Sequence, residues 1–441
     1  MAPVPDVRDH NLTLDLCLRI GEVLLSSGAG AADVTATMDS VARHLGLRHA
    51  DIDVTFTSLT MSYSYDSELP PLILIRQVKH RDIDYADLTL VDHLVRDILT
   101  DKADLYLART RMATIVTTGH STPRWAISLA WGSMCSGVAV MLGGDVLVVA
   151  IAFTAAVCID RLQLFLARRR LPSFYQQVAG GAVATLFAVA AAASGLDLDQ
   201  SLVVTANIIM LLAGIGFMGA LQDALTGFYV TSGARMIEAL LATAGIIGGV
   251  SGGIAIGGLF GVGLGNIEPG GGGLGPAGMM AAGAAVCAAS FAFASYAPLR
   301  AILPVALIAA VAISIFNVVD QTGLGRPWAA AAAAFVVGLV SYAASGRVRV
   351  PPLVVVVSAV VPMLPGLSIY RGLSLLAEGG GSTSPGLLSM VTAASVAIAL
   401  ASGVILGEYV AQPLKREARR LEDRLAGPRL VGPFRARGLR N

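Results

Sequence analysis

The feature that most constrains this chain is a span of nearly 290 residues that is almost free of charge. Residues 125–412 contain only 20 of the 61 Asp, Glu, Lys and Arg residues, and those 20 lie mostly between long apolar runs. One crossing of a bilayer needs about 20 predominantly apolar residues. The span is therefore long enough for many crossings, and we predict an α-helical polytopic membrane protein.

The remaining charges divide the rest of the chain. The first 124 residues hold 29 of them, and the last 29 residues hold 12. Nine glycines occur among residues 261–278 and separate the apolar segments into two groups of five, which predicts a flexible connector. The predicted regions are a cytosolic α+β domain (1–124), a first membrane half (125–260), a Gly-rich linker (261–277), a second membrane half (278–412) and a basic cytoplasmic tail (413–441).

The N-terminal region has both helical and alternating patterns. Apolar residues at helical spacing predict a first helix capped by Asn11 and a second that ends at Gly46. Alternation over 51–65 predicts strands, and its phase slip indicates a bulge or a tight turn. Leu72–Val78 predicts another strand. A third helix is predicted from about Leu90 onward to Thr118.

Arginine positions predict the membrane orientation. With the N-terminus inside, the loops carrying most arginines fall inside, and only Arg326 and possibly Arg371 fall outside, which fits the positive-inside rule. Both termini are therefore predicted to be cytoplasmic. The ten predicted spans lie near 125–143, 146–165, 176–194, 202–220, 237–260, 278–296, 299–318, 328–344, 351–372 and 387–409.

Two groups of five spans predict an inverted repeat, because an odd number of spans reverses the direction in which the second half enters the membrane. A faint internal echo supports this hypothesis. Met218-Gly219 is followed by Asp223, and Pro365-Gly366 is followed by Arg371. Inverted repeats with broken helices form the midplane sites of many secondary transporters. The echo predicts that Asp223 and Arg371 occupy matching points of the two halves.

Several classes of chemistry lack support in the sequence. The four cysteines form no disulfide or metal-binding pattern, and all six histidines lie within the first 124 residues without metal-ligand spacing. No nucleotide-binding motif is present, and no nucleophile has a recognisable base beside it. We expect no cofactor, no resident metal and no enzymatic activity. The tail, with nine basic and three acidic residues, is predicted to bind the anionic inner leaflet and not nucleic acid.

Charged groups beside the spans are candidate site residues, because such charges are costly in a membrane. Asp223 and Arg235 flank the turn at Gly227 and offer one acceptor and one cation, as the two ends of an amino acid require. The alternative is a cytoplasmic loop with two solvated charges. Glu238 lies three residues beyond Arg235, so an ion pair within one helix is an equally good interpretation.

A second set of candidates lies within the spans. Pro365 and Gly366 interrupt a helix and free backbone groups that can line a cavity, and Arg371 follows them. The alternative for Arg371 is a side chain that extends to the interface. Asn207 and Asn317 are uncharged polar residues that either contact substrate or join helices to one another.

The chain resembles the bacterial threonine/serine exporter (ThrE) family on three groups of motifs. The first runs from Leu24-Leu25-Ser-Ser-Gly28-Ala29 to Leu45-Gly46. The second is Gly219-Ala-Leu-Gln-Asp223-Ala-Leu-Thr-Gly227 with Ser232-Gly233-Ala-Arg235. The third is Pro362-Met-Leu-Pro365-Gly366 with Tyr370, Gly403 and Gly407. The resemblance covers nearly the whole chain. Met218 departs from it, since many relatives have proline there.

The resemblance implies a secondary transporter, an antiporter in the bacterial cytoplasmic membrane that exports threonine and serine and is driven by protons. A homo-oligomer is compatible with the sequence. Separate halves also resemble two-subunit dicarboxylate exporters, so export of succinate-like substrates is an alternative. A second alternative, from another class, is a membrane-anchored enzyme or sensor that acts through residues 1–124.

Overall fold

The computed structural model of the chain is almost entirely helical. It describes residues 7–64, 70–79, 83–120, 122–195, 198–211, 214–262, 276–378 and 380–425, and the side chains of 378, 380 and 412–425 are outside this description. Within those ranges the chain forms sixteen α-helices and one three-stranded sheet. The predicted linker therefore lies largely outside the described residues.

Residues 7–117, called the N-terminal unit below, form four helices and the sheet. Its elements are α1 (Val7–Ser26), α2 (Ala31–His44), β1 (Ala50–Val54), β2 (Ser58–Tyr63), β3 (Leu72–Gln77), α3 (Tyr85–Leu99) and α4 (Leu105–Thr117). The strands are antiparallel in the order β1-β2-β3. Leu59 and Met61 of β2 join Ile20, Met38 and Ile98 of the helices in one hydrophobic core. Alternation along β2 thus turns one face of the sheet towards the helices.

Most local predictions for this unit hold, with two corrections. The phase slip is a tight turn between β1 and β2, and α2 ends just before Gly46, whose φ is +100°. Helix α1 begins at Val7, so Asn11 is inside the helix and does not cap it. The predicted third helix is two helices, because Asp101 adopts a left-handed conformation and Asp104 caps α4 by accepting a hydrogen bond from the Leu107 amide.

Helices α5 to α16 form the apolar part of the molecule, called the helical bundle below. They are α5 (Arg124–Met141), α6 (Val146–Arg168), α7 (Ser173–Ala193), α8 (Gln200–Leu211), α9 (Gly214–Leu225), α10 (Tyr229–Leu259), α11 (Ala277–Ala294), α12 (Leu299–Gln321), α13 (Arg326–Val348), α14 (Pro352–Val360), α15 (Gly366–Glu378) and α16 (Thr383–Leu425). A short 3₁₀ turn, Val361–Met363, lies between α14 and α15. Helix α16 runs past the predicted boundary at 413.

Among the described residues, seven helices are long and apolar enough to cross a membrane, or nine if each bent pair counts as one crossing. The two pairs are α8 with α9, bent by 47°, and α14 with α15, bent by 48°. The sequence predicted ten spans, and the helix that does not qualify by length and composition is α5. It has the same length, 18 residues, as the qualifying helix α11, so its less apolar composition, which includes Arg124, sets it apart. The protein is therefore a multi-pass membrane protein of mostly helical structure.

The positions of the two bent pairs differ in part from the helix interruptions that the internal repeat predicted. The second interruption lies at Pro365-Gly366, as the sequence predicted, but the first lies between Leu211 and Gly214 and not at Met218-Gly219, which is inside α9. Asp223 is consequently near the end of its helix, whereas Arg371 is near the middle of α15. The prediction that these two residues occupy matching points was wrong.

The helices α5–α10 and α11–α16 pack by the same scheme. In the first series α7 contacts α6, α8 and α10, and in the second α13 contacts α12, α14 and α16. Helices α5 and α11 contact each other, and Gly137 of one meets Gly283 of the other at a distance that leaves no room for a Cβ atom on either. Close approaches through glycine are typical of packed membrane helices.

The N-terminal unit packs against one end of the helical bundle. The Tyr85 amide donates to the Ser295 carbonyl (2.9 Å), and His93 Nε2 lies 3.1 Å from the Arg349 carbonyl oxygen. The Thr231 hydroxyl donates to the Val54 carbonyl (3.2 Å). The segments that follow α9, α11 and α13 therefore all lie at the same end of the bundle.

Candidate functional site

A cavity of about 200 Å³ lies between the two bent pairs. Gly214 and Ile215 of α9 line it from one pair, and Pro362, Leu364 and Gly366 line it from the other. Further walls come from α5 and α11. Residues from both helix interruptions thus line a single cavity.

The interruptions free backbone groups beside this cavity. The first N–H groups of an α-helix have no partner within the helix and carry the positive end of its dipole. Helices α9 and α15 begin at Gly214 and Gly366, both of which line the cavity. The first residues of two helices therefore line the same cavity, an arrangement that the broken helices of many transporters use to bind anionic substrate groups.

The cavity also has a wall from the N-terminal unit. Ile83, which precedes α3, lines it, and Tyr85 is completely buried among residues of the bundle. The Tyr85 ring meets the edge of Phe291, another lining residue, at a ring-centroid distance of 6.3 Å. A short segment of the N-terminal unit therefore closes one side of the cavity.

The sequence-predicted residues of the second interruption occupy different surroundings. Pro365 and Gly366 are buried at the start of α15, and the Pro365 carbonyl accepts a hydrogen bond from the Ile369 amide (3.0 Å). Gly366 lines the cavity, whereas the Arg371 side chain is exposed. The structure thus brings Gly366 to the cavity and leaves Arg371 on the surface of the chain.

The two asparagines also differ. Asn207 of α8 is fully buried; its amide nitrogen donates to the Val203 carbonyl (2.8 Å), and its Oδ1 has no hydrogen-bond partner. Asn317 of α12 is half-buried. Neither residue lines the central cavity described above. An unpartnered buried oxygen is costly in an apolar environment, so Asn207 is the more unusual of the two.

A second polar centre lies where the N-terminal unit meets the bundle. Asp223 is completely buried and forms an ion pair with Arg235, whose side chain is 9% exposed, at an Nε–Oδ2 distance of 3.2 Å. The sequence identified both residues but left open whether they were solvated. Burial answers that question, because a buried pair is held by its geometry and cannot be a pair of free loop charges.

Both members of this pair also bind the N-terminal unit. Asp223 Oδ1 accepts a hydrogen bond from the Ala31 amide (2.8 Å), the first residue of α2. Arg235 Nη2 donates to the Ala29 carbonyl (2.9 Å). Helix α2 begins after Gly30, which has no side chain to cap it, so Asp223 of the bundle supplies the anion that a helix N-terminus favours.

Further carboxylates surround this junction. Asp33 in the first turn of α2 and Glu408 of α16 are close enough to interact electrostatically, and Asp223 acts on Asp33 in the same way. Crowding by protein atoms, with a smaller contribution from Asp223, raises the pKa of Asp33 above its ordinary value, although the side chain keeps a solvent-exposed edge. The junction therefore combines three carboxylates with Arg235.

Two ion pairs join neighbouring helices of the bundle. Arg235 pairs with Asp223, and Glu238 is exposed on the next turn of α10. Asp160, adjacent to Arg161 in sequence, instead binds Arg124 of α5 (2.6 Å) and the Ser128 hydroxyl (2.5 Å). Asp160 and Arg161 are adjacent in sequence and point to different sides of α6, so Asp160 binds the neighbouring helix instead.

Sequence reasoning missed the apolar walls of the cavity. Trp131, Met134 and Met210 line it, yet each lies within a long apolar run where nothing distinguishes it from its neighbours. The only detectable signal was the Pro365-Gly366 interruption. Segment 83–85 was also missed, since an isoleucine and a tyrosine before a helix are typical of an ordinary core.

Comparisons with known proteins agree over both parts of the chain. The ThrE family model, "Putative threonine/serine exporter", matches residues 15–257, and a second model, "Threonine/Serine exporter, ThrE", matches residues 280–410. The chain is 36% identical over 430 residues to the "Probable threonine/serine exporter" of Mycobacterium tuberculosis, covering 94% of this chain and 80% of that protein. It is 34% identical over 433 residues to the "Threonine/serine exporter" of Corynebacterium glutamicum, covering 95% and 87%. No solved structure is significantly similar to the chain.

Proposed function

The chain belongs to the threonine/serine exporter family, and from this premise we propose that it exports threonine and serine across the bacterial cytoplasmic membrane. The observation that carries the proposal is the cavity between the two bent helix pairs. Its small volume suits a small solute, since sites for drug-sized ligands are about 300–1,000 Å³. Transport then proceeds by alternating exposure of this cavity to the two sides.

The proposed membrane arrangement has ten spans in two inverted halves, with each bent pair counted as one span and α5 included. The matching packing schemes of α5–α10 and α11–α16 support this proposal. Five spans in each half give the halves opposite orientations. Contacts of the N-terminal unit with the segments after α9, α11 and α13 support one common, cytoplasmic side, on which both termini would lie.

Labelling from outside the cell tests this arrangement. In a Cys158→Ser background, because Cys158 is exposed, we expect an impermeant maleimide to label Leu324→Cys in the segment after α12 and not Arg169→Cys in the segment after α6. Labelling of position 169 and not 324 would reverse the orientation. Equal labelling of both positions would exclude the inverted repeat.

In the proposed site, the substrate carboxylate binds the N-termini of α9 and α15. The freed carbonyl groups at the same interruptions accept hydrogen bonds from the substrate ammonium group. Pro365 and Gly366 are proposed to keep this interruption open. Asn207 and Asn317 lie outside the cavity walls, and their proposed role is in the packing and movement of helices.

Asp223 and Arg235 are proposed to form a latch that fastens the N-terminal unit over the inner side of the cavity. Opening of the latch would withdraw Ile83 from the cavity wall and admit substrate from the cytoplasm. We further propose that protons drive export and act at the carboxylates of this junction, where Asp33 lies near both Asp223 and Glu408 and Asp223 is paired with Arg235. Glu238 and Arg371, both exposed, are proposed to attract substrate to the mouths of the pathway.

The direct test is exchange in proteoliposomes that contain the purified full-length protein. Vesicles preloaded with threonine should take up labelled threonine and serine, and an imposed pH gradient should drive net movement of threonine. Vesicles preloaded with succinate should take up neither. Absence of threonine exchange at verified protein orientation would refute the proposal, and exchange without a response to the pH gradient would refute proton coupling alone.

The dicarboxylate alternative has less support. A dicarboxylate needs two fixed positive groups, and no Lys, Arg or His side chain lines the cavity among the described residues. The enzyme alternative also lacks a specific observation. Asp84, Asp87 and His120 are the one cluster of potential metal ligands in the described part of the chain, and Asp84 is already used to cap α3.

A further inference from the structure

The walls of the central cavity are almost entirely apolar. Among the lining residues that the structure describes, only Trp131 has a side-chain N–H or O–H group, an indole N–H that can donate but cannot accept a hydrogen bond. The remaining side chains are aliphatic, methionine or phenylalanine. A hydroxyl group on a substrate side chain would therefore find little in these walls that recognises it.

The polar groups at the two helix interruptions do not supply this recognition. They bind the carboxylate and ammonium groups in the proposed site, and every α-amino acid has both. The part of the substrate that differs between amino acids is the side chain, which then faces Met134, Val138, Met210 and the other apolar walls. Discrimination between amino acids thus depends on how the side chain fills the cavity.

We propose that this site selects its substrate by the size of the side chain and not by its hydroxyl group, so that valine and 2-aminobutyrate are exported as well as threonine. This inference rests on the proposed function and extends its substrate class. Valine has the shape of threonine with a methyl group in place of the hydroxyl, and 2-aminobutyrate is threonine without the hydroxyl. A site that binds a hydroxyl rejects such analogues by about 10⁴-fold or more, whereas an apolar pocket does not.

Size sets the upper limit of the same class. The cavity is about 200 Å³ and is lined by the bulky rings of Trp131 and Phe291, so we expect an aromatic side chain to fit less well than a small one. Its methionine walls are flexible and adapt to small differences in shape. We therefore expect exchange of serine, valine and threonine to exceed exchange of phenylalanine and tryptophan.

A counterflow experiment with the full-length protein tests the inference. Proteoliposomes are preloaded with threonine and given labelled valine, 2-aminobutyrate, serine, phenylalanine or succinate outside. We expect valine and 2-aminobutyrate to exchange with half-saturation concentrations within about tenfold of that for threonine. A preference for threonine over valine of more than about a hundredfold would overturn the inference. Lack of threonine exchange would instead refute the proposed function.

A variant of one wall residue locates the selectivity in this cavity. Met210→Ala removes the side chain of a half-buried lining residue, and we expect leucine exchange relative to threonine exchange to rise about tenfold. Met236→Ala is the matched control, because Met236 is also half-buried but packs in a separate cluster. If Met210→Ala does not insert, Ile215→Ala serves the same purpose. An unchanged ratio in the cavity variant, or an equal rise in the control, would overturn the assignment.

Discussion

The central cavity and the junction with the N-terminal unit differ sharply in chemistry. The cavity walls contain no charged side chain among the described residues, although they adjoin two helix N-termini. The junction contains the buried pair Asp223 and Arg235 with further carboxylates around it. Asp223 and Arg235, which the sequence singled out, therefore lie at the junction, whereas Gly366 is the one cavity-lining residue among the sequence-predicted candidates.

This difference suggests a division of labour. Backbone groups can bind an amino acid without placing a permanent charge in the middle of the membrane, which would be costly. A buried ion pair, in contrast, is sensitive to the loss of either partner. Such a pair suits a contact that must open and close. Ile83 of the N-terminal unit lines the cavity, so the same unit takes part in both regions.

The largest expected effect tests the junction. Asp223→Asn leaves the buried Arg235 without a counter-charge, and breaking a buried pair costs about 3–5 kcal/mol. We expect faster amide hydrogen exchange across residues 28–34 in the full-length protein, together with loss of threonine export. Helices α5–α16 should remain protected.

Two comparisons control that variant. Asp39→Asn removes the partner of Arg43 in an exposed pair on α2 and should change stability by less than about 1 kcal/mol. The double variant Asp223→Asn with Arg235→Gln removes the unpaired charge and should recover part of the protection. Wild-type exchange and export in Asp223→Asn would show that the pair does not fasten the unit.

A smaller effect is expected at the cavity. Gly214→Ala places a Cβ atom about 3.1 Å from Leu364 Cβ, between the two bent pairs. Overpacking of this kind costs about 1–3 kcal/mol, so we expect threonine exchange to fall about tenfold. Gly216→Ala is the control, since its Cβ atom would meet nothing within 4 Å. Equal threonine exchange rates for the two variants at equal protein levels would show that this cavity does not take part in transport.

A pH dependence follows from Asp33. Because its pKa is raised in the docked arrangement, the docked state binds the proton more tightly than the undocked state, and docking strengthens as the pH falls through the raised pKa. The groups that face Asp33 are Asp223 and Glu408, with Arg235 paired to Asp223. Hydrogen exchange of residues 28–34, corrected for intrinsic rates, should slow as the pH falls through the raised pKa of Asp33.

Asp33→Asn should make this dependence smaller and should strengthen docking at the higher pH. The change is expected to be less than about 1 kcal/mol, because the solvent-exposed edge of Asp33 screens its interactions. Asp39→Asn on the same helix should retain the dependence. A wild-type pH profile in Asp33→Asn would assign the titration to Glu408 or to Asp223.

The smallest expected effect concerns Arg371. Its side chain is exposed on α15, and exposed charges are well screened at physiological salt, so Arg371→Gln should lower threonine export by less than about threefold. The loss should be larger at low ionic strength if Arg371 attracts substrate. A loss as large as that of Asp223→Asn would place Arg371 on the substrate pathway and would weaken the contrast between the two regions.

The sequence predicted the membrane class and most helices because these depend on local composition. The lengths of the apolar runs predicted the helical segments, and alternation of apolar residues predicted β2. The Pro365-Gly366 pair predicted one of the two helix interruptions. The first interruption, before Gly214, was misplaced by several residues, because no proline marks it. The break between α3 and α4 was also missed, since it depends on the conformation of Asp101 and the cap at Asp104.

The candidate site was only partly predictable. Asp223 and Arg235 are recognisable as costly charges, but their binding to Ala31 and Ala29 joins residues about 200 positions apart. No local pattern reports such a contact. The interpretation of Asp223 and Arg371 as matching charges was wrong because it depended on the misplaced interruption.

By itself, then, the sequence determined that the chain crosses a membrane many times, where its helices lie and which charges are costly, since each follows from the transfer of nearby residues out of water. Only the tertiary structure decided that the two interruptions share one cavity and that Asp223 caps a helix of the N-terminal unit. The physical reason is that a cavity and a buried ion pair are defined by what packs around them. Apolar helices of similar composition can pack in many ways, and the complementary positions of glycine, proline and charge select one arrangement only when all the helices meet.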